Sequence, residues 1–380
     1  MKRIAFVSTM AGFSWGGSEN FWAKSALEAL QQGYTVFISV YTWKQRHPLL
    51  QKLQDSGAII HFRKRYDLDS AIISKALNKV QKEYLNFSSF KKALNKFQPD
   101  VICISQGGNY DIVQEKAVYK AVQHSDIPYY IVPQFNQEHY TLPYKSFQEA
   151  RKIFSRAKGV CFVSDRNREV SKRQLALSLK NSNVIFAPLN VSKDKPVDYP
   201  KTDQTYHLAC VSRLDCNFKG QDILFQILGN EKWYQRNWRL NLYGKGDDKK
   251  YLEELAKFFS IQQKVSFKGH VNSIRDIWAE NHIMVMPSIA EGTPCALMEA
   301  MLCGRSAVAT DVGGNSEFVK EGETGFLAAS PSPKYFEEAL DKAWDQRENW
   351  QLMGNNAYQL AIKKIHPNPG SQLLDYITQN

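Results

Sequence analysis

The chain has 380 residues, of which 43% are apolar and 23% charged, with 14 Pro and 21 Gly. That composition is globular, leaves room for two or three cores, and excludes disorder, collagen-like repeats and coiled coils. Charge is uneven: residues 1–200 carry 29 Lys and Arg against 16 Asp and Glu, whereas residues 201–380 carry 20 against 22. A basic half beside a near-neutral one points to two domains with different partners, the first meeting something anionic. Nucleic acid, an acidic membrane surface and a phosphorylated acceptor all fit that charge.

No apolar run approaches the roughly 18 residues of a membrane span. Met1-Lys2-Arg3 is followed only by Ile4-Ala5-Phe6-Val7 before Ser8, too short for a signal-peptide core. The expectation is a cytoplasmic chain that starts directly on a strand. Its six cysteines form no C-x-x-C pair and no His/Cys ligand spacing, so they read as free thiols in a reducing compartment, with no structural zinc.

In chain order, residues 4–8, 35–40, 58–61, 101–104, 129–132, 159–163 and 184–187 read as buried strands. Helical periodicity fills the gaps, as at 19–32, 70–85 and 167–179. Near-continuous apolar strands alternating with helices predict a parallel, doubly wound α/β sheet. The pattern pauses at 190–205, a polar stretch with Pro196 and Pro200, which reads as a linker. It restarts with strands at 207–211, 240–243, 265–267, 283–286, 307–310 and 325–328. The predicted organisation is a first domain over 1–190, a linker over 191–205, a second domain over 206–350 and a tail over 351–380, helical in pattern to 365. Two such Rossmann-like sheets would face a central cleft, with ligands beyond the carboxyl ends of their strands.

Chemistry concentrates in the second half. Arg213 follows the strand at 207–211 and Lys219-Gly220 opens the next helix, giving two cations suited to a diphosphate. Taken alone, the pair reads more readily as a solvated loop. After the strand at 283–286 comes Pro287-Ser288-Ile289-Ala290-Glu291-Gly292-Thr293-Pro294-Cys295-Ala296-Leu297-Met298-Glu299-Ala300. A small-residue loop leads into a helix near Pro294, whose first amides suit an anion. Glu291 and Glu299 suit sugar hydroxyls. Glu299 as a solvated helix face is the bland alternative, but its apolar flanks make an unpaired charge there costly.

Arg213 with Lys219-Gly220, the pair Glu291 and Glu299, and Asp311-Val312-Gly313-Gly314-Asn315-Ser316-Glu317 followed by Gly322-Glu323-Thr324-Gly325-Phe326 together resemble the retaining, nucleotide-sugar-dependent glycosyltransferases of family 4, which have the GT-B fold. Leu242-Tyr243-Gly244-Lys245-Gly246 and Phe267-Lys268-Gly269-His270-Val271 fall where that family lines its base pocket. Gly16-Gly17-Ser18-Glu19 matches its glycine-rich loop. The resemblance covers nearly all of the second domain and the opening of the first.

What the resemblance implies is a donor site. Arg213 and Lys219 would neutralise the diphosphate, and Glu299 would accept from ribose hydroxyls. Glu291 would hold the transferred sugar, helped by Gly292, Thr293, Pro294, Cys295 and Ala296, with Arg213, Lys219 and Glu291 the catalytic set. Gly17, Gly244 and Val271 complete the donor contacts. No metal or other cofactor is implied, and the donor substrate would be a UDP- or GDP-sugar. By the same resemblance the tail crosses back onto the first domain. Where many members place a histidine after the strand at 129–132, this chain reads Pro133-Gln134-Phe135-Asn136-Gln137-Glu138-His139. Gln134, Asn136 and His139 are therefore the acceptor-side candidates, with Gly16 and Gln106; His139 reads equally as a surface histidine.

Asp67-Leu68-Asp69 is a literal D-x-D, but Asp69 before a helical pattern reads as an N-cap. Phe13-Ser14-Trp15 suits a sugar face or plain packing. Residues 145–180 hold ten Lys and Arg against three Asp and Glu, interleaved with Phe147, Ile153, Phe154, Leu175 and Leu177, and residues 90–97 repeat the mixture. Such stretches suit a peripheral hold on an acidic membrane, an anionic acceptor, or solvated helix faces over a core. The expected function is transfer of a sugar to an acceptor hydroxyl of a glycan, lipid-linked or small molecule, with anomeric retention. A nucleotide-sugar epimerase of the same fold and a non-enzymatic polyanion binder are the alternatives; no nucleic-acid motif supports the latter.

Overall fold

The computed structural model describes residues 2–12, 14–64, 72–201 and 204–379, with residues 72–82 described by their helical backbone alone. Asp67 and Asp69, Phe13 and the start of the helix expected at 70–85 lie outside the described residues. The chain forms two compact units, one of residues 1–188 with 368–380 and one of residues 189–367.

In the first unit, β1 (Arg3–Ser8), β2 (Thr35–Tyr41), β3 (Ile59–Arg63), β4 (Val101–Gln106), β5 (Tyr129–Pro133), β6 (Gly159–Phe162) and β7 (Ser182–Val184) form one sheet in the order β3-β2-β1-β4-β5-β6-β7. Every pairing is parallel. β1 and β4 are buried along almost their whole length, because helices cover both faces. In the second unit, β8 (Tyr206–Val211), β9 (Trp238–Tyr243), β10 (Val265–Gly269), β11 (Ile283–Met286), β12 (Ser306–Thr310) and β13 (Gly325–Ala328) pair in the order β10-β9-β8-β11-β12-β13, again all parallel. Each sheet changes winding direction once, between β1 and β4 and between β8 and β11. In doubly wound sheets the crevice beyond those carboxyl ends is where ligands bind.

Two details differ from the sequence expectation. The segment expected as a linker lies along the second unit. Buried Arg305 donates to the carbonyls of Val197 (3.1 Å) and Asp198 (2.7 Å), Tyr358 donates to the Asp194 carbonyl (3.0 Å), and Lys193 donates to the carbonyls of Ile362 and Ile365. A polar stretch can be held this way because its carbonyls, rather than apolar side chains, supply the contacts. The tail also divides later than expected. The helix Trp350–Lys364 buries Trp350, Met353, Ala357 and Ala361 within the second unit. Only the helix Pro369–Gln379 joins the first unit, where Leu373, Leu374 and Ile377 are buried and the Ser25 hydroxyl donates to the Gly370 carbonyl (2.5 Å).

Most apolar residues of the basic stretches go to the core, while Phe147 and Leu177 are half-buried. Ile153, Phe154 and Leu175 are buried, as are Phe90, Leu94 and Phe97 along the helix Ile72–Phe97. Their spacing of three to four turns the basic residues outward. No helix among the described residues is long and apolar enough to cross a membrane.

Candidate functional site

At the winding switch of the second sheet the two families of charge meet. β8 ends at Val211, and Arg213 follows with its side chain 45% exposed and 3.3 Å from Asp215. The short helix Cys216–Lys219 then carries Lys219 inward, where its ammonium donates to Glu291 Oε1 at 2.6 Å. Both ends of this ion pair are largely buried, so the contact stands in a medium that screens it poorly. The Ser288 hydroxyl donates to the same carboxylate oxygen at 2.7 Å. Lys219 has three N–H donors and spends one on Glu291, so it can also meet a phosphate.

The loop that carries Glu291 is held from several sides. The Thr310 hydroxyl donates to the Ser288 carbonyl (2.5 Å), the Gly314 amide to the Gly292 carbonyl (3.1 Å), and Asn315 to the Thr310 carbonyl (2.8 Å). Gly313 has φ +51°, and a Cβ there would stand 2.2 Å from the Glu291 carbonyl oxygen. Only glycine allows that approach. Sequence reading quoted this Asp311–Glu317 stretch without a role; its geometry gives it one, as the support of the Glu291 loop.

Glu299 lies inside the helix Cys295–Leu302 and is buried, and its Oε1 accepts the Asn190 amide at 2.9 Å. The apolar flanks did signal a partnered carboxylate, but the partner comes from the polar strap, 109 residues away. At the start of that helix the Cys295 amide donates to the Thr293 carbonyl (2.8 Å), so this amide is already engaged. Gly244 has φ +138°, and a Cβ there would stand 1.9 Å from the Ser212 carbonyl oxygen. Its identity follows from that close approach of the β9 and β8 ends. Val271 is half-buried just beyond β10. Arg213, Lys219, Glu291, Gly292 and Gly244 thus gather around the ends of β8, β9 and β11.

In the first unit Gly16 precedes the helix Gly17–Gln31, and its carbonyl accepts the Glu19 amide at 3.1 Å. Gln106 ends β4, fully buried, with neither side-chain amide atom hydrogen-bonded among the described residues. Gln134 is its neighbour: the Gln134 amide donates to the Gln106 carbonyl (3.0 Å) and its side chain to Ser105 Oγ (3.2 Å). Asn136 turns inward instead, donating to Ser171 Oγ (2.8 Å) and the Tyr110 hydroxyl (3.4 Å), while His139 is exposed. Glu19, named above only as part of the glycine-rich loop, is the residue of this end that had no expected role. Its carboxylate is buried at the end of β1 and accepts from Ser8 (2.5 Å), Trp22 Nε1 (3.2 Å) and Ser18. Burial raises its pKa, with Asp111 adding like charge, and burial also raises that of Asp111. The available signal was position: a carboxylate in the first turn after a glycine pair, next to Phe21 and Trp22.

Two doubly wound parallel sheets in tandem are the architecture of the GT-B fold. Residues 205–346 match the family model described as Glycosyl transferases group 1. Residues of this chain are 27% identical over 142 positions to an uncharacterized glycosyltransferase of Haemophilus influenzae, covering 37% of this chain and 40% of that protein. The chain spans about two-fifths of the length of the curated relatives it matches. Over the whole chain the fold is similar to the lipopolysaccharide outer core galactosyltransferase WaaB in its apo form (TM-score 0.73, 19% identity, 99% of each chain). It is also similar to Anabaena HepE in complex with UDP (TM-score 0.73, 16% identity, 100% of each chain). The family model thus matches the second unit, and the likeness to these structures shows the GT-B fold.

Proposed function

We propose that this chain is a retaining glycosyltransferase that moves a hexosyl group from a nucleotide diphosphate sugar to an acceptor hydroxyl. One observation carries the reading: the Lys219–Glu291 pair at the β8/β11 switch, with half-exposed Arg213 on the loop that follows β8, sets cations for a diphosphate next to a carboxylate for sugar hydroxyls. The likeness to HepE bound to UDP supports a UDP-sugar, with a GDP-sugar the alternative.

In the proposed reaction the bond between the anomeric carbon and the leaving phosphate oxygen breaks, and its electron pair stays with the nucleotide. Arg213 and Lys219 stabilise that charge, a task that otherwise falls to a metal. The acceptor oxygen bonds to the anomeric carbon on the same face, and its proton passes to the leaving phosphate oxygen. Glu291 holds hydroxyls of the transferred sugar, Glu299 those of the ribose, and the acceptor belongs to the first unit, near Gln106 and Gln134.

Nucleotide release from UDP-glucose tests the reading. Lys219→Ala and Arg213→Ala should each lower turnover by about 10²–10³-fold, the usual cost of removing a group that meets transition-state charge. Chelator should leave the rate unchanged. Wild-type turnover in both variants would overturn the assignment, and recovery of an epimerised nucleotide sugar in place of a glycosylated product would replace transfer by epimerisation.

A further inference from the structure

Arg305 lies just past the helix Cys295–Leu302 and is almost fully buried, an environment in which a guanidinium is rare and costly to hold. Burial lowers its pKa to about 10, so it stays charged at neutral pH. Its hydrogen bonds go to backbone carbonyls of three segments. Nε donates to Asn281 (2.9 Å) and Nη2 to Trp278, at the end of the helix Ile274–Glu280. Nη1 donates to Cys303 (3.0 Å) and Gly304 (3.2 Å), in the turn that closes the helix carrying Glu299. The third segment is the polar strap, held at Val197 and Asp198.

The strap also meets that turn directly. The Val197 amide donates to the Cys303 carbonyl (3.2 Å), and Gly304, at φ +78°, would carry a Cβ 2.9 Å from Pro196 Cβ. Farther back along the strap, the Asn190 amide donates to Glu299 Oε1 (2.9 Å). The Cys303 amide in turn donates to the Glu299 carbonyl (3.1 Å). Helix, turn, arginine and strap thus close a ring of contacts that ends on the Glu299 carboxylate.

We infer that Arg305 is a positioning residue for nucleotide binding: it fixes the strap 190–198 against the end of the Glu299 helix, and through the Asn190 amide it sets where the Glu299 carboxylate stands. An amide donating to a carboxylate makes a directional, charge-assisted bond, so a displaced strap takes the orientation of that carboxylate with it. An apolar side chain at 305 would fill the space at lower electrostatic cost, but it would hold no carbonyl of the strap. The inference rests on the reading of Glu299 as the group that holds the ribose hydroxyls.

Isothermal titration calorimetry of the full chain with UDP and with 2′,3′-dideoxy-UDP tests it. The ratio of the two affinities reads the ribose contact, whereas a general loosening of the fold weakens both nucleotides together. The wild type should prefer UDP by about tenfold or more, the scale of hydrogen bonds to a charged group. Arg305→Gln should bring the ratio close to one with the affinity for dideoxy-UDP unchanged, and Arg305→Lys should recover part of it. Asn190→Pro, which removes the amide proton itself, should match Arg305→Gln. In a Glu299→Gln background Arg305→Gln should lower the ratio no further. Thermal denaturation shows which variants fold; if Arg305→Gln does not, Arg305→Lys and Asn190→Pro decide in its place. A wild-type ratio in the folded variants, or equal weakening of both nucleotides, overturns the positioning role alone. A full ratio kept in Glu299→Gln, or a ratio near one in the wild type, refutes the ribose contact and this inference with it. Absence of UDP binding refutes the donor site beneath both.

Discussion

His61 lies between two hydroxyls, Ser39 Oγ 3.1 Å from Nδ1 and Ser89 Oγ 3.1 Å from Nε2. Burial, and after it the charge of Arg63, lowers its pKa to about 4. The unfolded chain takes up this proton near pH 6.5, so the stabilisation is complete above that value and is lost as pH falls towards about 4. Part of the ring is solvated, which reduces the effect to about 1–2 kcal/mol. Urea unfolding at the two ends of that window should show the wild type losing this much more stability than His61→Gln; equal losses would refute the linkage. Gln106 gives a second expectation at this scale. A buried amide without partners costs stability, so Gln106→Leu should leave the melting temperature unchanged or raised. Under the acceptor assignment the same variant should transfer poorly to acceptor while still hydrolysing donor.

Among the elements, the loop after β12 carries most of the positional information for Glu291. Gly313→Ala would force a non-glycine residue to φ +51° and bring its Cβ within 2.2 Å of the Glu291 carbonyl oxygen. We expect a loss of about 1–3 kcal/mol in thermal denaturation. Nucleotide release should fall more than the stability change explains, because Glu291 is displaced with its loop. A folded variant with wild-type turnover would show that this loop does not position the site. The basic helices teach the opposite lesson about reading elements alone. Of the residues that made 145–180 look suited to a membrane, Ile153, Phe154 and Leu175 are packed inside the unit, as an amphipathic helix against a sheet requires, and Phe147 and Leu177 are half-buried.

For the whole molecule, the return of the chain to its first unit matters most. The helix Pro369–Gln379 packs on the helix Gly17–Gln31, and burying Leu373, Leu374 and Ile377 contributes about 1.5–3 kcal/mol each. A chain ending at residue 367 should therefore lose or strongly lower the calorimetric transition of the first unit while keeping that of the second. Unchanged transitions would mean that this helix adds nothing to the first core.

The sequence by itself was enough for the alternation of strands and helices, for two consecutive parallel sheets and for the charged residues that follow the strands of the second. Each of these depends on local apolarity, local period or residue chemistry: β1 and β11 announce themselves as short apolar runs, and Lys219 and Glu291 as charges just beyond such runs. The tertiary structure alone decided which of those groups meet. Lys219 and Glu291 are 72 residues apart in sequence and 2.6 Å apart in space, because β8 and β11 are neighbours only after the sheet reverses its winding. It likewise decided that residues 193–198 lie along the second unit, that Asn136 turns inward, and that Glu19 is buried against Ser8 and Trp22. Such pairings are set by contacts between segments far apart in the chain, and no local pattern of apolar and charged residues encodes their partners.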